Sequence, residues 1–420
     1  MVESNKLNDF LRKQRARRER SKLPLKDIRV IDLGTVVAAP FATTLLGDFG
    51  AEVIKVENPG IPDAIRAWGV REDGFQPWWL VVSRNKLPIT LNLRISEGAE
   101  VFAKLVEKSD VLIENFRPGV LDRLGFTTER FLELNKGIII GRISGYGQMG
   151  PYAHRPGFGT LAEGFSGFTY LNAEPGGPAL SPPMPLADMI AGLHMAFAVM
   201  VALRSARRGE YGGQEIDVSL YEPLLGMLGS NFLEYWLSGE IPQAFGSEMS
   251  YTAPRNNYQT KDGNWLALSA SAQAAFERLM DAIGKPEYKT DHRFSTNKAR
   301  IKKESRKELN RVISEWFSKM TLTEALEACE KHGVTAGIIA NMKNIAEDPH
   351  IEGRKSLVDI DDPATGRSLR IPDVSIRILE SPGKIRFPGL PFGAANEVVY
   401  QDLLDYSAEQ LGELKTKKVI

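Results

Sequence analysis

The segment 28–57 constrains the fold more than any other, because it joins two β-rich runs through a short helical pattern. Residues 28–33 and 52–57 are rich in Val and Ile, and small and apolar residues recur at helical spacing between Pro40 and Gly50. Strand, helix and strand over about thirty residues are typical of a βαβ unit, which needs two parallel strands. The pattern continues at 89–93, 97–109, 111–113 and 137–144. The sequence therefore predicts an open, Rossmann-like parallel sheet in an α/β domain.

Changes in composition predict more than one domain. The chain has 420 residues, which is ample for a large core. A Pro/Asn/Ser-rich stretch begins near residue 245, and shorter strand and helix patterns follow it. We expect a solvated, basic helical arm and a smaller α+β domain in addition to the large domain. The expected parts are the arm at 1–27, the large domain at 28–244, the small domain at 245–345 and a return segment at 346–420 that completes the large domain.

Charge and cysteine content narrow the possible functions. Lys and Arg number 53, as do Asp and Glu, so the formal net charge is +0. Nucleic-acid and membrane-surface proteins usually carry a basic excess, so neither partner is expected. The single cysteine, Cys329, excludes an intrachain disulfide and fits a reducing cytosol, and it makes a zinc site unexpected. We also expect no apolar run of the ~18 residues that a membrane span needs, and hence a soluble, cytoplasmic protein.

A glycine motif at 145–150 invites a nucleotide-binding interpretation that its surroundings do not support. Gly145, Gly147 and Gly150 match G-x-G-x-x-G after a strand pattern. Such a motif must open a helix, whose N-terminus binds the pyrophosphate. Pro151 follows directly, and the residues up to Gly157 are loop-like. The motif therefore predicts a flexible or ligand-lining loop rather than an NAD site.

Three arginines follow strand patterns of the predicted sheet. Arg94 follows the run at 89–93, and Arg117 and Arg123 follow the run at 111–113. In open α/β sheets ligands bind beyond the carboxyl ends of the strands, and guanidinium groups suit phosphate oxygens. Any one of them alone is more often an ordinary surface residue. We take the two strand ends that carry these three arginines as adjacent. Three arginines at one place predict that the protein binds a phosphorylated ligand, and that it does so without a Walker-type loop.

Asp188 lies between a Pro/Gly-rich loop at 175–185 and an apolar run at 189–203. An acid in the first helical turn is usually a cap, which is its ordinary interpretation. The sequence has no G-x-S-x-G elbow and no suggestive Cys–His pair that would compete as a reactive centre. If the chain is an enzyme, Asp188 is the candidate nucleophile, because a carboxylate can attack an activated acyl group to give an anhydride. The helix N-terminus is expected to keep this carboxylate ionised.

Several ordered motifs resemble those of the class III CoA-transferases, the family of formyl-CoA and carnitine CoA-transferases. The resemblance covers residues 28–420 and leaves out the arm. The motifs are the stretch 30–57, Asn85-Lys86, Asn115-Phe116-Arg117-Pro118-Gly119, Ser144-Gly145-Tyr146-Gly147-Gln148 with Gly150-Pro151, Ala187-Asp188 with Gly192, the stretch 284–287, Gly333-Val334 and the stretch 392–414.

This resemblance implies that the chain transfers CoA from an acyl-CoA thioester to a free carboxylic acid. Asp188 would be the catalytic residue and would form a covalent aspartyl intermediate. CoA would be a substrate, and no permanently bound cofactor or metal is expected. Two chains would interlock, either as a homodimer or as a heteromer with a related subunit. The residues at the family's CoA-contacting positions are Val36, Val37, Leu91, Asn92, Leu93, Arg94, Asn115, Phe116, Arg117 and Arg123.

Two alternative functions stay open. The acyl-CoA racemases share the fold of this family. Racemisation needs two bases at the α-carbon, and in those enzymes one of them is a His from a Gly-His-Asp motif. Here that stretch reads Gly157-Phe158-Gly159, which favours transfer. The chain could also be one subunit of a heteromeric transferase, such as a succinyl-CoA:benzylsuccinate type.

The chain departs from the family pattern at several positions that bear on substrate choice. Val37 and Asn58 replace a Gln and an Arg of other members, and the stretch 246–254 lacks the glycine-rich lid sequence of formyl-CoA transferase. Aromatic residues such as Trp68, Trp78 and Phe165 hint at an apolar acyl pocket. Succinyl-CoA with an aromatic or dicarboxylic acceptor is the expected substrate pair.

Overall fold

The computed structural model describes residues 4–69 and 73–420. The chain forms two compact units. The large unit contains the residues up to Phe168, Ser181–Ser230 and Gly353–Ile420, and the small unit contains Thr169–Leu180 and Asn231–Glu352. The small domain predicted at 245–345 thus lies inside the small unit, which extends further on both sides. The chain returns to the large unit from residue 353.

A six-stranded parallel sheet organises the large unit within the described residues, and it confirms the predicted mixed α/β class. The strand order is β3-β2-β1-β4-β5-β6, so the winding direction reverses between β1 and β4. Ligands of such sheets bind at this switch point, beyond the carboxyl ends of the strands. The strands are β1 (Arg29–Asp32), β2 (Glu52–Glu57), β3 (Lys86–Thr90), β4 (Val111–Glu114), β5 (Ile139–Ser144) and β6 (Gln214–Ser219).

Helices cover both faces of the sheet, because alternate strand side chains point to opposite sides. Ile31 and Ile54 belong to one buried cluster, and Val30 and Val53 belong to another. In chain order the helices are α1 (Ser4–Glu19), α2 (Ala38–Asp48), α3 (Pro77–Val82), α4 (Ser96–Glu107), α5 (Val120–Arg123), α6 (Thr128–Leu134), α7 (Gly159–Phe165), α8 (Phe168–Leu171), α9 (Leu186–Arg207), α10 (Glu222–Met227), α11 (Asn231–Ser238), α12 (Gln273–Ile283), α13 (Asn297–Arg300), α14 (Lys303–Phe317), α15 (Leu322–His332), α16 (Met342–Glu347), α17 (Pro349–Gly353), α18 (Asn396–Asp402) and α19 (Ala408–Thr416). Helices α2 and α9 pack on the face that carries Val30.

The small unit is built on an antiparallel sheet of β7 (Arg255–Gln259), β8 (Trp265–Ser269) and β9 (Ala336–Ile338). Its own core contains Phe276 of α12, Phe317 of α14 and the buried Cys329 of α15. A further hairpin, β10 (Leu357–Asp361) with β11 (Ser368–Pro372), belongs to the return segment of the large unit.

The N-terminal helix α1 is docked, so the expectation of a solvated arm is wrong. Leu11 is fully buried in the core. The guanidinium of Arg12 donates to Asp402 at 2.9 Å, and that of Arg15 donates to Glu52 at 2.7 Å. Arginines of α1 thus pair with carboxylates of β2 and α18, and the apolar face of α1 packs into the core on one side of the sheet.

Helix α9 contradicts the expectation that no apolar run reaches membrane-spanning length. It has 22 residues, and an 18-residue window within it has a mean hydropathy of 1.9. By length and composition alone it could cross a membrane. Its buried face packs on α2 and the sheet through Ala191, Met195 and Val199, while Phe197 is 70% exposed on the other side. The high hydropathy of the helix arises because both its buried face and its exposed face carry apolar side chains.

Candidate active site

Asp188 lies in the first turn of α9, beside the loop that joins β1 to α2. The N-cap residue of α9 is Pro185, so Asp188 is not the cap that its ordinary interpretation required. A Cβ on Gly192, one turn further, would lie 2.6 Å from the carbonyl oxygen of Ala38, so α9 and α2 touch at backbone distance. Met189 and Val36 pack against the same buried cluster. The Asp188 carboxylate is therefore held close to the switch point of the sheet.

The half-buried position of Asp188 changes its acidity. Burial first, and the neighbouring carboxylate of Glu163 second, raise the pKa of Asp188 to about 6. A bond from its own backbone N–H opposes the rise. Desolvation is thus the largest influence on this pKa, so the carboxylate is harder to ionise than the helix N-terminus alone would make it. Above pH 7 the group is mainly a carboxylate, and it is more basic than an exposed aspartate.

Helix α7 supplies two neighbours of Asp188 that the sequence did not identify as site residues. An ideal Cβ on Gly159 would lie 1.9 Å from Oδ2 of Asp188, so this position has room only for glycine. Glu163 lies one turn further along and is 2% exposed. Its Oε1 accepts a hydrogen bond from the backbone N–H of Ala187 at 3.3 Å. The i, i+4 spacing places both residues on one helix face, but the sequence does not tell which element that face meets.

The start of α7 depends on the glycine motif at 145–150. A Cβ on Gly145 would lie 2.6 Å from Cα of Gly157, so the two ends of this loop cross in direct backbone contact. The N–H of Gln148 donates to Oδ2 of Asp217 at 2.9 Å and fixes the loop to β6. The motif therefore folds as a loop, and α7 begins only at Gly159.

The β1–α2 loop holds a strained residue that packs against the same buried cluster as Met189 of α9. Val36 has φ +63°, a region that β-branched residues rarely adopt. Its N–H donates to Oδ1 of Asp63 at 2.9 Å, and the other carboxylate oxygen of Asp63 pairs with buried Lys55 at 2.9 Å. Such strain persists where the surroundings over-determine a conformation, often at functional sites. Val37 is fully buried, so it can offer a ligand its backbone but not its side chain.

A buried charge network lies directly beneath this loop. Oδ2 of Asp32 accepts from Nζ of Lys86 at 2.9 Å, and its Oδ1 accepts from the N–H of Gly34 at 2.9 Å. Burial lowers the pKa of Lys86 to about 8, against the attraction of Asp32. These contacts fix where β1 ends and the loop begins.

The loops after β1 and β4 are joined across the switch point by Asn115. Its Oδ1 accepts from the N–H of Thr35 at 2.7 Å, and its Nδ2 donates to the carbonyl of Thr35 at 2.9 Å. Arg117 and Arg123 follow it and are exposed, as is Arg94 after β3. Within residues 4–69 and 73–420, none of these three guanidinium groups has a hydrogen-bond or ion-pair partner. They are available to a ligand.

The structure separates the three arginines into two groups, because β3 and β4 are not adjacent as expected. Strands β2 and β1 lie between them. At roughly 4.8 Å per strand, their ends are about 14 Å apart. Strand patterns alone do not reveal this order, since a crossover connection can skip neighbours. The spacing of Arg94 from Arg117 and Arg123 suits an extended polyanion better than a single phosphate.

The remaining predicted contact residues shape their loops. Leu91 is 2% exposed and belongs to the core, and Leu93 and Phe116 pack partly against it. Oδ1 of Asn92 accepts from the N–H of Arg94 at 3.1 Å, which turns the chain after β3. The side chain of Leu91 therefore serves packing, and Asn92 presents Arg94.

Of the aromatic residues considered for an acyl pocket, Trp78 packs near the start of α9. It packs on the same cluster as Met189, and its ring meets that of Trp68 edge-on at 5.7 Å. Phe165 packs instead against Tyr146 and Tyr221, with ring centroids 5.4 Å and 4.9 Å away. Trp78 and Phe165 therefore pack in separate places.

The stretch 246–254, where a glycine-rich lid was considered, is anchored inside the small unit. Oε1 of Glu248 accepts from Asn310 at 2.6 Å, and the carbonyl of Ser250 accepts from Arg306 at 3.0 Å. Asn297 donates to the carbonyl of Tyr251 at 2.9 Å. The stretch is thus held by polar contacts to α13 and α14, whereas a lid would be expected to be rich in glycine.

No cluster of three or more His, Cys, Asp or Glu side chains in the described part of the chain is arranged to hold a metal ion. The candidate site is built from carboxylates, backbone groups and arginines.

Replacing the arginines tests their role in binding. Arg94→Ala and Arg123→Ala are each expected to raise KM for the thioester substrate that the resemblance implies by roughly tenfold or more, with a smaller effect on kcat, since a charge-assisted hydrogen bond is worth about 1.5–3 kcal/mol. Arg20→Ala, in an equally exposed position of the arm, is the matched control and should leave KM unchanged. Steady-state kinetics at two salt concentrations measure both. Unchanged KM in both site variants would refute the phosphate-binding role.

Comparison with known proteins agrees with the resemblance noted in the sequence. The family model described as CoA-transferase family III matches residues 25–396. The succinyl-CoA–D-citramalate CoA-transferase of Chloroflexus aurantiacus is 38% identical over 96% of this chain and 99% of its own length. The beta subunit of the succinyl-CoA–L-malate CoA-transferase of the same organism is 39% identical over 95% and 98%. The crystal structure of a CAIB/BAIF family protein from Brucella suis has a TM-score of 0.80 at 30% identity, over 91% of this chain and 100% of its own.

Proposed function

The chain belongs to CoA-transferase family III and is a CoA-transferase, and from that premise we propose that it carries CoA from succinyl-CoA to a dicarboxylic acid through covalent intermediates on Asp188. The placement of Asp188 carries this proposal. Its carboxylate is half-buried and basic, and it stands beside the strained loop at the switch point. Arginines that have no partner among the described residues follow the strands at the same edge of the sheet.

The reaction runs through four acyl exchanges at this carboxylate. An oxygen of Asp188 attacks the thioester carbonyl, the C–S bond breaks, and CoA thiolate leaves an acyl–aspartyl anhydride. The thiolate then attacks the aspartyl carbonyl, releasing the donor acid and leaving an aspartyl–CoA thioester. The acceptor carboxylate displaces CoA thiolate to give a second anhydride. Attack of the thiolate on the acceptor carbonyl yields the new thioester and restores the Asp188 carboxylate.

The N-terminus of α2 supplies candidate donors for the oxyanions formed in these steps. The N–H groups of Ala38 and Ala39, in its first turn, have no intrahelical acceptor, and no described side chain caps them. Preorganised backbone donors of this kind stabilise charge that develops in the transition state. The contact between Gly192 and Ala38 holds α9 and its Asp188 next to them. Val36 and Val37, predicted as CoA contacts, would act here through the backbone.

The proposed donor and acceptor are taken from the substrates in the names of the relatives. Two of them use succinyl-CoA as donor, with D-citramalate or L-malate as acceptor. Both acceptors are short dicarboxylic acids. Of the two kinds of acceptor expected from the sequence, a dicarboxylic acid is therefore favoured over an aromatic acid.

A panel of acyl-CoA donors and free acids, analysed by mass spectrometry with the chain purified alone, tests the proposal. New thioesters are expected when succinyl-CoA is combined with malate or citramalate, and none is expected without an acceptor. Loss of an α-proton in D₂O without a new thioester would instead establish the racemase alternative. Exchange that begins only after a related subunit is added would establish the heteromeric alternative.

We propose that the partner of this chain is a second copy, which is one of the two interlocked arrangements that the resemblance implies. The outer face of α9 carries an apolar stripe at helical spacing, namely Leu193, Phe197, Met200 and Val201. Beside its end lies an open apolar cavity of about 510 Å³ lined by Leu25 and Ile28. Contiguous exposed apolar side chains of this kind mark interfaces rather than free surface.

Sedimentation of the purified chain is expected to give a particle of twice 46.6 kDa. Phe197→Glu, on the exposed stripe of α9, should shift it towards the monomer because it buries a charge in an apolar interface. Tyr211→Glu, in the exposed turn after α9, is the control and should leave the dimer intact. A monomeric wild type would refute the assembly proposed.

A further inference from the structure

Glu163 is a buried carboxylate whose charge no described cation balances. It is 2% exposed, and its Oε1 accepts a hydrogen bond from the backbone N–H of Ala187 at 3.3 Å. Burying a carboxylate without a cationic partner is costly, so such groups are rare outside functional sites. A purely structural role would be filled at lower cost by an apolar residue or a glutamine.

The position of Glu163 ties it to Asp188 in two ways. Its hydrogen bond fixes the peptide that directly precedes Asp188, in the first turn of α9. Gly159, on the same face of α7, lies against the Asp188 carboxylate itself. Helix α7 therefore leaves space for the Asp188 side chain at Gly159 and places the negative charge of Glu163 near it.

The other charged groups on the elements that pack against α9 are occupied elsewhere. Asp48 of α2 pairs with Arg84, Arg142 of β5 pairs with Glu114 and with Glu215 of β6, Asp217 of β6 accepts from Gln148, and Glu222 of α10 accepts from Ser219. On α9 itself, the His194 ring bonds the carbonyl of Ile190, and Arg204 and Arg207 lie in the last turn. Glu163 is the charged neighbour that acts on the acidity of Asp188.

Resting on the proposed function, we infer that Glu163 is a positioning residue for the nucleophile, which anchors the first turn of α9 and raises the reactivity of Asp188 through like-charge repulsion. When Asp188 attacks an acyl carbon, its negative charge passes to the departing CoA thiolate and the aspartyl oxygen becomes part of a neutral anhydride. The repulsion between the two carboxylates is therefore present before attack and relieved by it. Removing the charge of Glu163 should therefore lower the pKa of Asp188, because a neighbouring negative charge disfavours ionisation of a carboxyl group.

Glu163→Gln separates the two roles, because glutamine keeps the length and the oxygen acceptor for Ala187 but removes the charge. In the wild type, kcat/KM is expected to fall below about pH 6, as Asp188 becomes protonated. In Glu163→Gln this acidic limb should move to lower pH, and kcat on the plateau should fall severalfold. Glu163→Asp, which keeps the charge, should retain the wild-type limb, and Glu222→Gln on α10 is the matched control. An unmoved limb in Glu163→Gln would overturn the inference.

A direct titration distinguishes failure of this inference from failure of the proposed function. Asp188 is observed by ¹³C NMR in protein labelled at the aspartate carboxyl carbon, and its signal is identified by its loss in Asp188→Asn. The midpoint should be lower in Glu163→Gln than in the wild type, whether or not any thioester is turned over. Equal midpoints refute the role of Glu163, whereas a shifted midpoint in a protein that transfers no CoA refutes only the proposed reaction. Thermal unfolding of each variant verifies that the fold is intact.

Discussion

Asp188→Ala is expected to abolish CoA transfer while leaving CoA binding in place. The substitution removes the group that forms every covalent intermediate, so kcat should fall on the order of 10⁴-fold or more, as for other enzymes that lose their nucleophile. The CoA contacts proposed on the loops after β3 and β4 are untouched. Isothermal titration with CoA should therefore give a dissociation constant close to that of the wild type.

The stability of this variant provides the control. The pKa of Asp188 is raised in the folded protein above its ordinary value, so the protonated side chain favours folding at low pH. That contribution is complete below about pH 4 and is lost as the pH rises through about 6. At pH 7.5 the ionised group opposes folding, and Asp188→Ala should unfold at a temperature no lower than the wild type. Loss of activity in a stable protein then reflects chemistry.

Trapping tests the covalent mechanism independently. Hydroxylamine added during turnover should convert the activated Asp188 carbonyl to a hydroxamate, and peptide mass spectrometry should find the modification there. The same treatment without thioester should leave the residue unmodified. A fully active, unmodified enzyme after treatment during turnover would contradict an aspartyl intermediate.

Local elements of the large unit were predictable because their signals are local. The run at 52–57 is β2 to the residue, and the helical spacing that begins near Pro40 gives α2, which starts at Ala38. Asp188 was placed in the first turn of a helix from the boundary between a Pro-rich loop and an apolar run. These inferences depend on periodicity and on residues that end helices, and both are visible in a short window.

Relations between distant segments were not predictable in the same way. The order of β3 and β4 in the sheet depends on crossover connections, and so the spacing of Arg94 from Arg117 was misjudged. The docking of α1 depends on carboxylates far along the chain, such as Asp402. The acidity of Asp188 depends on burial and on Glu163, which no motif connects to it. Long-range packing decides each of these, and single-sequence patterns do not contain it.

Gly159→Ala is expected to inactivate the enzyme with little loss of stability. The added methyl group would lie 1.9 Å from Oδ2 of Asp188, so either this carboxylate or the start of α7 must move. The carboxylate is the end of a flexible side chain, and rotating it costs less than shifting a helix that packs on α9. A displacement of about 1 Å in a reacting group can cost about 10²-fold in rate, and we expect a loss of at least that size in kcat.

Gly164→Ala in the same helix is the matched control, because a Cβ there would meet nothing within 4 Å. Both variants replace a helical glycine by a better helix former, which favours folding by up to about 1 kcal/mol. Their melting temperatures should therefore be at or above that of the wild type, and only Gly159→Ala should lose activity. If Gly159→Ala remains fully active, the carboxylate of Asp188 does not react from the position seen in the structure. If both variants lose activity equally, α7 acts through its overall conformation and not through the space that Gly159 leaves for the nucleophile.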